Sequence, residues 1–310
     1  MKKYLLGAAT AALLGGAGMA QAQTIGVAMS LFDDNWLTVL RHNMQEHADG
    51  LGVTVQMEDA GGDISRQQSQ VENFIASGVD GIIVMLVDAD SGDAMSAAAA
   101  SAGVPLVFVN LMPPAADNFP DKQAWVGSDE VLAGTLQATE ICKQIGGKGD
   151  AVVMMGQLGT SGQRGRTQGV HEVLETPDCS GIKIVDEQTA NYMRTPGLDL
   201  MTNWLTSGIK PAAVFANNDE MAIGAIQALK AAGVPMDEVV IGGVDATKDA
   251  LAAMKAGDLD VTVFQNAKGQ GVGAVDTVLE IIKGEPYEKK TFIPFELVTP
   301  ANLVDYEALN

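Results

Sequence analysis

Residues 212–233 read AAVFANNDEMAIGAIQALKAAG. The run from Ala212 to Ala216 is apolar and short, as a buried strand is, and two amides and two acids then break it. Beyond them Ala222, Ile226 and Leu229 fall on one helical stripe, with Asp219 placed to cap its start and Gly233 to end it. Strand, polar turn and helix make half of a βαβ unit.

The rest of the chain repeats that half. Short β-rich runs recur as TIGVAM, VTVQME, GIIVML, PLVFVN, AWVGS, DAVVMMG, IKIVDEQ, AAVFANN, VVIGGVD and DVTVFQN. Stretches of helical periodicity separate most of them, the first placing Leu37, Leu40, Met44 and Ala48 on one face. Such alternation predicts an α/β protein with parallel sheets covered on both faces. Its length of 310 residues exceeds what one core usually serves, so two domains are expected.

At the amino terminus, Lys2 and Lys3 precede an uncharged stretch from Leu5 to Ala20, and Ala20-Gln21-Ala22 supplies small residues in an A-x-A pattern. This reads as a signal peptide, residues 1–22, cut near Ala22, so the mature protein is expected to be exported. Losing the two lysines takes the 19 basic residues to 17 against 39 acidic ones, so the net charge moves from −20 to −22. A chain so acidic repels nucleic acid and anionic lipid. Cys142 and Cys179 suit an oxidising compartment, either as two buried thiols or as a bridge closing a loop of about forty residues.

In a doubly wound sheet, ligands bind beyond the carboxyl ends of the strands. The polar residues that follow each run are therefore the candidates: Ser30, Asp33 and Asp34, then Asp59, Asp88 and Asn110, and later Gln157 to Arg166, Glu187 to Tyr192, Asn217 to Asp219, Asp245, Gln265 and Asn266. Amides and carboxylates pair with hydroxyls, and Trp or Tyr stacks on the C–H face of a sugar or cyclitol ring. SLFDDNWL, residues 30–37, offers both kinds of contact at once. Capping of the following helix accounts for one of its two aspartates, leaving the other for ligand. Trp36 lies off the Leu37, Leu40 and Met44 stripe, so it need not be core.

IGVAMSLFDDNW, VPLVFVN, VFANNDEMAIGAIQALKAAG, GGVDAT and TVFQN together carry a resemblance over the whole mature chain. The sequence resembles the periplasmic sugar-binding proteins that feed ABC transporters, in the branch of the galactose/glucose- and ribose-binding proteins. The resemblance implies the type I periplasmic binding fold, in which two similar doubly wound parallel-sheet lobes meet at a hinge of three crossings, near Ser128, Gln265 and Phe292. The amino-terminal lobe is then 23–128 plus 266–292, and the carboxy-terminal lobe 129–265 plus 293–310. It implies ligand contacts from Asp34, Trp36, Asn110, Arg166, Tyr192, Asn218, Asp245 and Gln265, with Arg164 as the neighbour that competes with Arg166. Thr160 and Gly162 stand where the galactose/glucose branch has His and Asp, closer to the ribose branch. The ligand is thus a hexose, a pentose, a polyol or an inositol-like cyclitol.

The expected partners are that ligand, an ABC permease and a chemoreceptor, with the receptor itself a monomer. Neither a cofactor nor a metal is expected: KQIGGKGD, in place of that branch's calcium loop, has one carboxylate, too few for a calcium cage. Enzymatic motifs are wanting, since GTSGQ breaks the GxSxG elbow and GGKGD lacks the spacing of a phosphate loop. His42 and His47 project about 140° apart on one helix and His171 is isolated, so all three read as solvated or capping side chains. The alternative is a secreted carbohydrate-active enzyme using Asp34 and Asp245 as paired carboxylates. A regulator of the same fold would need a basic DNA-reading head where the signal peptide stands.

Overall fold

Each of the ten apolar runs becomes a strand in the computed structural model, which describes residues 22–309. The signal-peptide reading covers residues 1–22, of which 1–21 lie outside the described residues. The strands are β1 (Thr24–Met29), β2 (Thr54–Asp59), β3 (Gly81–Val84), β4 (Leu106–Val109), β5 (Gln123–Gly127), β6 (Lys148–Met155), β7 (Gly181–Thr189), β8 (Ala213–Ala216), β9 (Val240–Gly242), β10 (Thr262–Gln265), β11 (Lys290–Phe292) and β12 (Phe295–Val298). The helices are α1 (Asn35–Leu51), α2 (Ile64–Ser77), α3 (Gly92–Ala102), α4 (Glu130–Ile145), α5 (Ser161–Leu174), α6 (Arg194–Thr206), α7 (Asp219–Ala231), α8 (Lys248–Lys255) and α9 (Ala267–Lys283).

The first sheet runs β11-β5-β4-β3-β1-β2, all parallel. In the second lobe β7-β6-β8-β9 are parallel, and β10 joins β9 through parallel bridges at Gly242–Val261 and Asp245–Phe264. Strand order is therefore the same in both lobes, which is why both put their strand ends toward a shared cleft. One element departs from the all-parallel expectation: β12 pairs antiparallel with β10. β11 ends at the cleft in the first sheet and β12 starts two residues later in the second lobe, so β12 runs away from the cleft while β10 runs toward it.

Three passages link the lobes. β5 of the first sheet leads into α4 of the second lobe, β10 leads into α9, and β11 leads into β12. α9 packs back on α1 and under β3, β4 and β5, so its Ala274, Val275 and Val278 belong to the first core. α1 buries Leu37, Leu40, Met44 and Ala48 as its periodicity predicts, but Trp36 is buried with them. The cap of α7 also shifts by one: the Asn218 side chain accepts from the Met221 amide, and Asp219 is the first helical residue.

Cys142 at the end of α4 and Cys179 ahead of β7 form a disulfide. Cutting it with a Cys142→Ser/Cys179→Ser pair should cost about 3 to 4 kcal/mol, since the loop it closes is removed from the constraints on the unfolded chain. Urea unfolding of the oxidised and the mutant protein reads this directly, and equal midpoints would contradict it.

His47 Nε2 stands 2.6 Å from Asp276 on α9, and His171 Nε2 stands 2.8 Å from Glu187 on β7. These two histidines join helices to their neighbours instead of being merely solvated.

Candidate functional site

A cavity of about 150 Å³ lies between the strand ends of the two lobes. All eight residues singled out in the sequence line it: Asp34, Trp36, Asn110, Arg166, Tyr192, Asn218, Asp245 and Gln265. Of the other candidates, Ser30, Gln157 and Thr160 also reach it, whereas Asp33, Asp59, Asp88, Arg164 and Asn266 are not among its lining residues. The first lobe contributes mostly apolar surface, including Leu31, Met85, Leu86 and Leu111, and the second lobe most of the amides and charges.

The backbone departs from ordinary geometry where it lines this cavity. Among the described residues six that are not glycine have positive φ, and four of them, Asn110 (65°), Asn191 (55°), Tyr192 (62°) and Asp245 (122°), line the cavity. Such conformations cost free energy and persist only where surrounding contacts enforce them. Here the enforcing contacts are visible. Asn110 donates from Nδ2 to Gln270 Oε1 at 3.2 Å, its carbonyl accepts the Trp125 indole N–H at 3.0 Å, and Gln270 donates to Ser128 Oγ at the first crossing. The Tyr192 ring lies flat on Gly156, where a Cβ would stand 2.0 Å from Cζ, and its hydroxyl is 3.0 Å from Thr160 Oγ1. Burial pushes the Tyr192 phenol up to about 12, so it stays protonated as a hydroxyl donor.

Asp219 holds the Asp245 turn from behind. Its carboxylate is fully buried and accepts from Thr247 N at 2.8 Å, Thr247 Oγ1 at 3.2 Å and Thr262 Oγ1 at 2.7 Å. Thr262 Oγ1 in turn accepts the Ala246 amide at 3.2 Å. Burial pushes the Asp219 carboxyl up to about 7 against those hydrogen bonds.

Arg166 is the electrostatic centre. Nε donates to Glu130 Oε2 at 2.7 Å, one terminal nitrogen to the Asn217 carbonyl at 2.7 Å, and the other to Gln265 Oε1 at 3.2 Å. Asp245 Oδ1 is 3.6 Å away. Burial opposes its charge, but Glu130 and Asp245 outweigh burial and hold the guanidinium above its usual range. Burial raises the Asp245 carboxyl well above the ordinary value; Arg166 counters it, and Asp219, Asp34 and Glu130 add to it. Asp34 is raised as well, by burial first and by Glu220 in addition.

Two sequence assignments change. Asp34 does both jobs that were divided between the aspartates: Oδ1 caps α1 by accepting from Leu37 N at 2.8 Å, and the residue lines the cavity, while Asp33 is exposed. Trp36 is both core and cavity wall, its indole N–H donating to the Gln265 carbonyl at the second crossing, 2.9 Å away. Glu130 is the charged cavity-lining residue that sequence reasoning missed, alongside apolar ones such as Leu31, Met85 and Leu86. The signal was present: Glu130 lies three residues after β5, and the strand-end rule points there. Gln67, wholly buried on α2, was missed too; it binds Met85 O and Val87 N and so fixes the apolar floor.

Among the described residues, no group of three or more His, Cys, Asp or Glu side chains is arranged to hold a metal ion.

A family model for the periplasmic binding protein domain matches residues 25–286. A putative rhizopine-binding protein of Rhizobium meliloti is 58% identical over the full length of both chains. A xylitol-binding protein of Mycolicibacterium smegmatis is 35% identical, with 92% of this chain and 80% of that one covered. Among solved structures, an ABC transporter solute-binding protein from Bacillus halodurans with bound myo-inositol matches at a TM-score of 0.89 and 41% identity, covering 94% of this chain and all of that one.

Proposed function

Because the chain belongs to the periplasmic binding protein family, we propose that it is the receptor of an ABC importer, capturing a monosaccharide, polyol or cyclitol between its lobes and releasing it to the permease. The observation that carries this is a cavity between the lobes, apolar on one side and lined by amides and carboxyls on the other, which matches the C–H face and the hydroxyl-bearing edge of a polyhydroxylated ring. The inositol-bound neighbour and the xylitol- and rhizopine-binding relatives favour polyols and cyclitols over common hexoses. Lobes of 23–128 plus 266–292 and 129–265 plus 293–310 close on the ligand about the three crossings, and closure is driven by the ligand's greater affinity for the closed form.

In this reading Asp34, Asn110, Arg166, Asn218, Asp245 and Gln265 hold hydroxyls, Trp36 and Tyr192 face the ring, and Glu130 is added to the set. Three carboxyl groups, Asp34, Glu130 and Asp245, face one guanidinium in the cavity, so the pocket lacks positive charge. A ring that carries an amine supplies it. The receptor acts as a monomer, is exported by a signal peptide cut near Ala22, performs no turnover, and also presents its closed form to a chemoreceptor.

Thermal unfolding against pentoses, hexoses, linear polyols, inositols and amino-inositols tests the assignment. A true ligand at about a thousand times its dissociation constant adds about 4 kcal/mol of stability. Shifts confined to the polyol and inositol classes are expected. No shift in any class, after unfolding and refolding to strip bound compounds, would refute the reading, and product accumulating from a bound sugar would move it to an enzyme.

A further inference from the structure

Just outside the cavity the lobes touch through a polar bridge. Asn35, the first residue of α1, donates from Nδ2 to Glu220 Oε1 on α7 at 2.7 Å. Neither residue lines the cavity, although their neighbours Asp34, Trp36 and Asn218 do. Glu220 is held in place from its own lobe: Arg194 donates from Nε to Oε2 and from a terminal nitrogen to Oε1, both at 2.8 Å, and reaches Asp249 at 2.6 Å. Beside the bridge α1 and the start of α8 do not close together, leaving a gap of about 260 Å³ lined by Asn35, Thr38 and Val39 on one side and Thr247, Lys248 and Asp249 on the other. On this edge the lobes therefore meet at a point and not along a packed face. A second point contact, Met112 N to Ser161 Oγ at 3.3 Å, joins the lobes elsewhere.

We propose that Asn35 and Glu220, with Arg194 as the support, form a latch that sets how much of the receptor is closed and thereby its affinity, without touching the ligand. This rests on the hinge-closing receptor read above. Closure brings Glu220 toward Asp34, a like charge that resists it; the Asn35 amide and the Arg194 guanidinium are the groups that make Glu220 tolerable there. Apparent affinity scales with the closed fraction, so any change in the latch passes directly into the dissociation constant. A hydrogen bond to a charged group is strong enough that its reversal into a repulsion changes that fraction by about tenfold or more.

The test uses N35D, E220Q and the N35D/E220Q pair. In N35D two carboxylates face each other; in the pair, the amide of E220Q donates to the carboxylate of N35D while its oxygen keeps the bond from Arg194 Nε, so the bridge returns with its direction reversed and one Arg194 bond is given up. Closure of the ligand-free protein is read from the oxidation rate of a second cysteine pair, M112C/S161C, placed at the other contact with the native disulfide intact. N35D should slow this trapping about tenfold, and adding E220Q should return it to within about threefold of the parent. Calorimetry with myo-inositol as the probe should show the same order of affinities. Unchanged trapping in N35D, or no recovery in the pair, overturns the latch. Trapping that follows the expected order in a protein to which myo-inositol does not bind keeps the latch and counts against the inositol assignment instead.

Discussion

An Arg166→Met receptor should bind none of the polyhydroxylated compounds at millimolar concentration and should unfold about 3 to 5 kcal/mol more easily than the parent. The size follows from what the guanidinium holds. It is 5% exposed and touches Glu130, Gln265, the Asn217 carbonyl and, at 3.6 Å, Asp245. Removing it leaves buried carboxylates facing one another with no cation between them, which costs more than the loss of any one hydrogen bond. The methionine fills the volume, so the loss is electrostatic and not a cavity effect. Acid should relieve part of it, because carboxyls deprived of a cation take up protons and become neutral. Urea unfolding at pH 5 and at pH 8 therefore shows a smaller penalty at the lower pH. Near-normal affinity in this variant would place the ligand away from Arg166 and overturn the carry-over of that residue from the family pattern.

The contrast between Arg166 and Glu130 shows which parts of the site the sequence disclosed. Polar residues that close an apolar run, such as Asn110 directly after β4 and Gln265 at the end of β10, were legible because a polar group at that place has few other duties. Glu130 falls under the same strand-end rule but was masked, since it is the first residue of a helix directly after Asp129, which caps it, and acids in the first turn are ordinary there. Only the fold brings α5 and its Arg166 against that turn. The same holds for Asn218 and Asp219: either caps a helix well by itself, and the choice is made by Thr247 and Thr262, 28 and 43 residues away, which require the Asp219 carboxylate. Trp36 was placed off the core by its angle on α1, yet an indole is long enough to reach the second crossing and pack there. β11 and β12 were passed over because Pro294 splits an already short β-rich run, and a three- or four-residue strand has too little periodicity to read.

The charge balance of the cavity leads to the second large effect. An inositol bearing an amine should bind about 10- to 100-fold more tightly than its neutral counterpart at pH 7.5, because one ammonium near two carboxyls gains about 1.4 to 2.7 kcal/mol net of its desolvation. The sign of the pH dependence separates this from ordinary hydroxyl recognition. Asp34 and Asp245 have carboxyls raised by burial in the ligand-free protein, and a cation beside them favours the ionised form. Binding of the amine thus expels protons, and its affinity should rise as pH climbs above the ordinary carboxylate value through the raised ones, for as long as the amine itself stays protonated. Stability without ligand runs the other way. Asp219, raised from 3.8 to about 7, together with Asp34 and Asp245, binds more protons folded than unfolded over that window, so the empty protein weakens as pH rises from about 4 through about 7. An amine ligand should offset this weakening near neutral pH and a neutral one should not. Calorimetry in two buffers of different ionisation enthalpy counts the protons released. A neutral inositol that binds as tightly as the amine, with no proton release and no slope between pH 5.5 and pH 7.5, would mean that Glu130 and Asp245 are fully satisfied by Arg166 and that the cavity is built for hydroxyls alone.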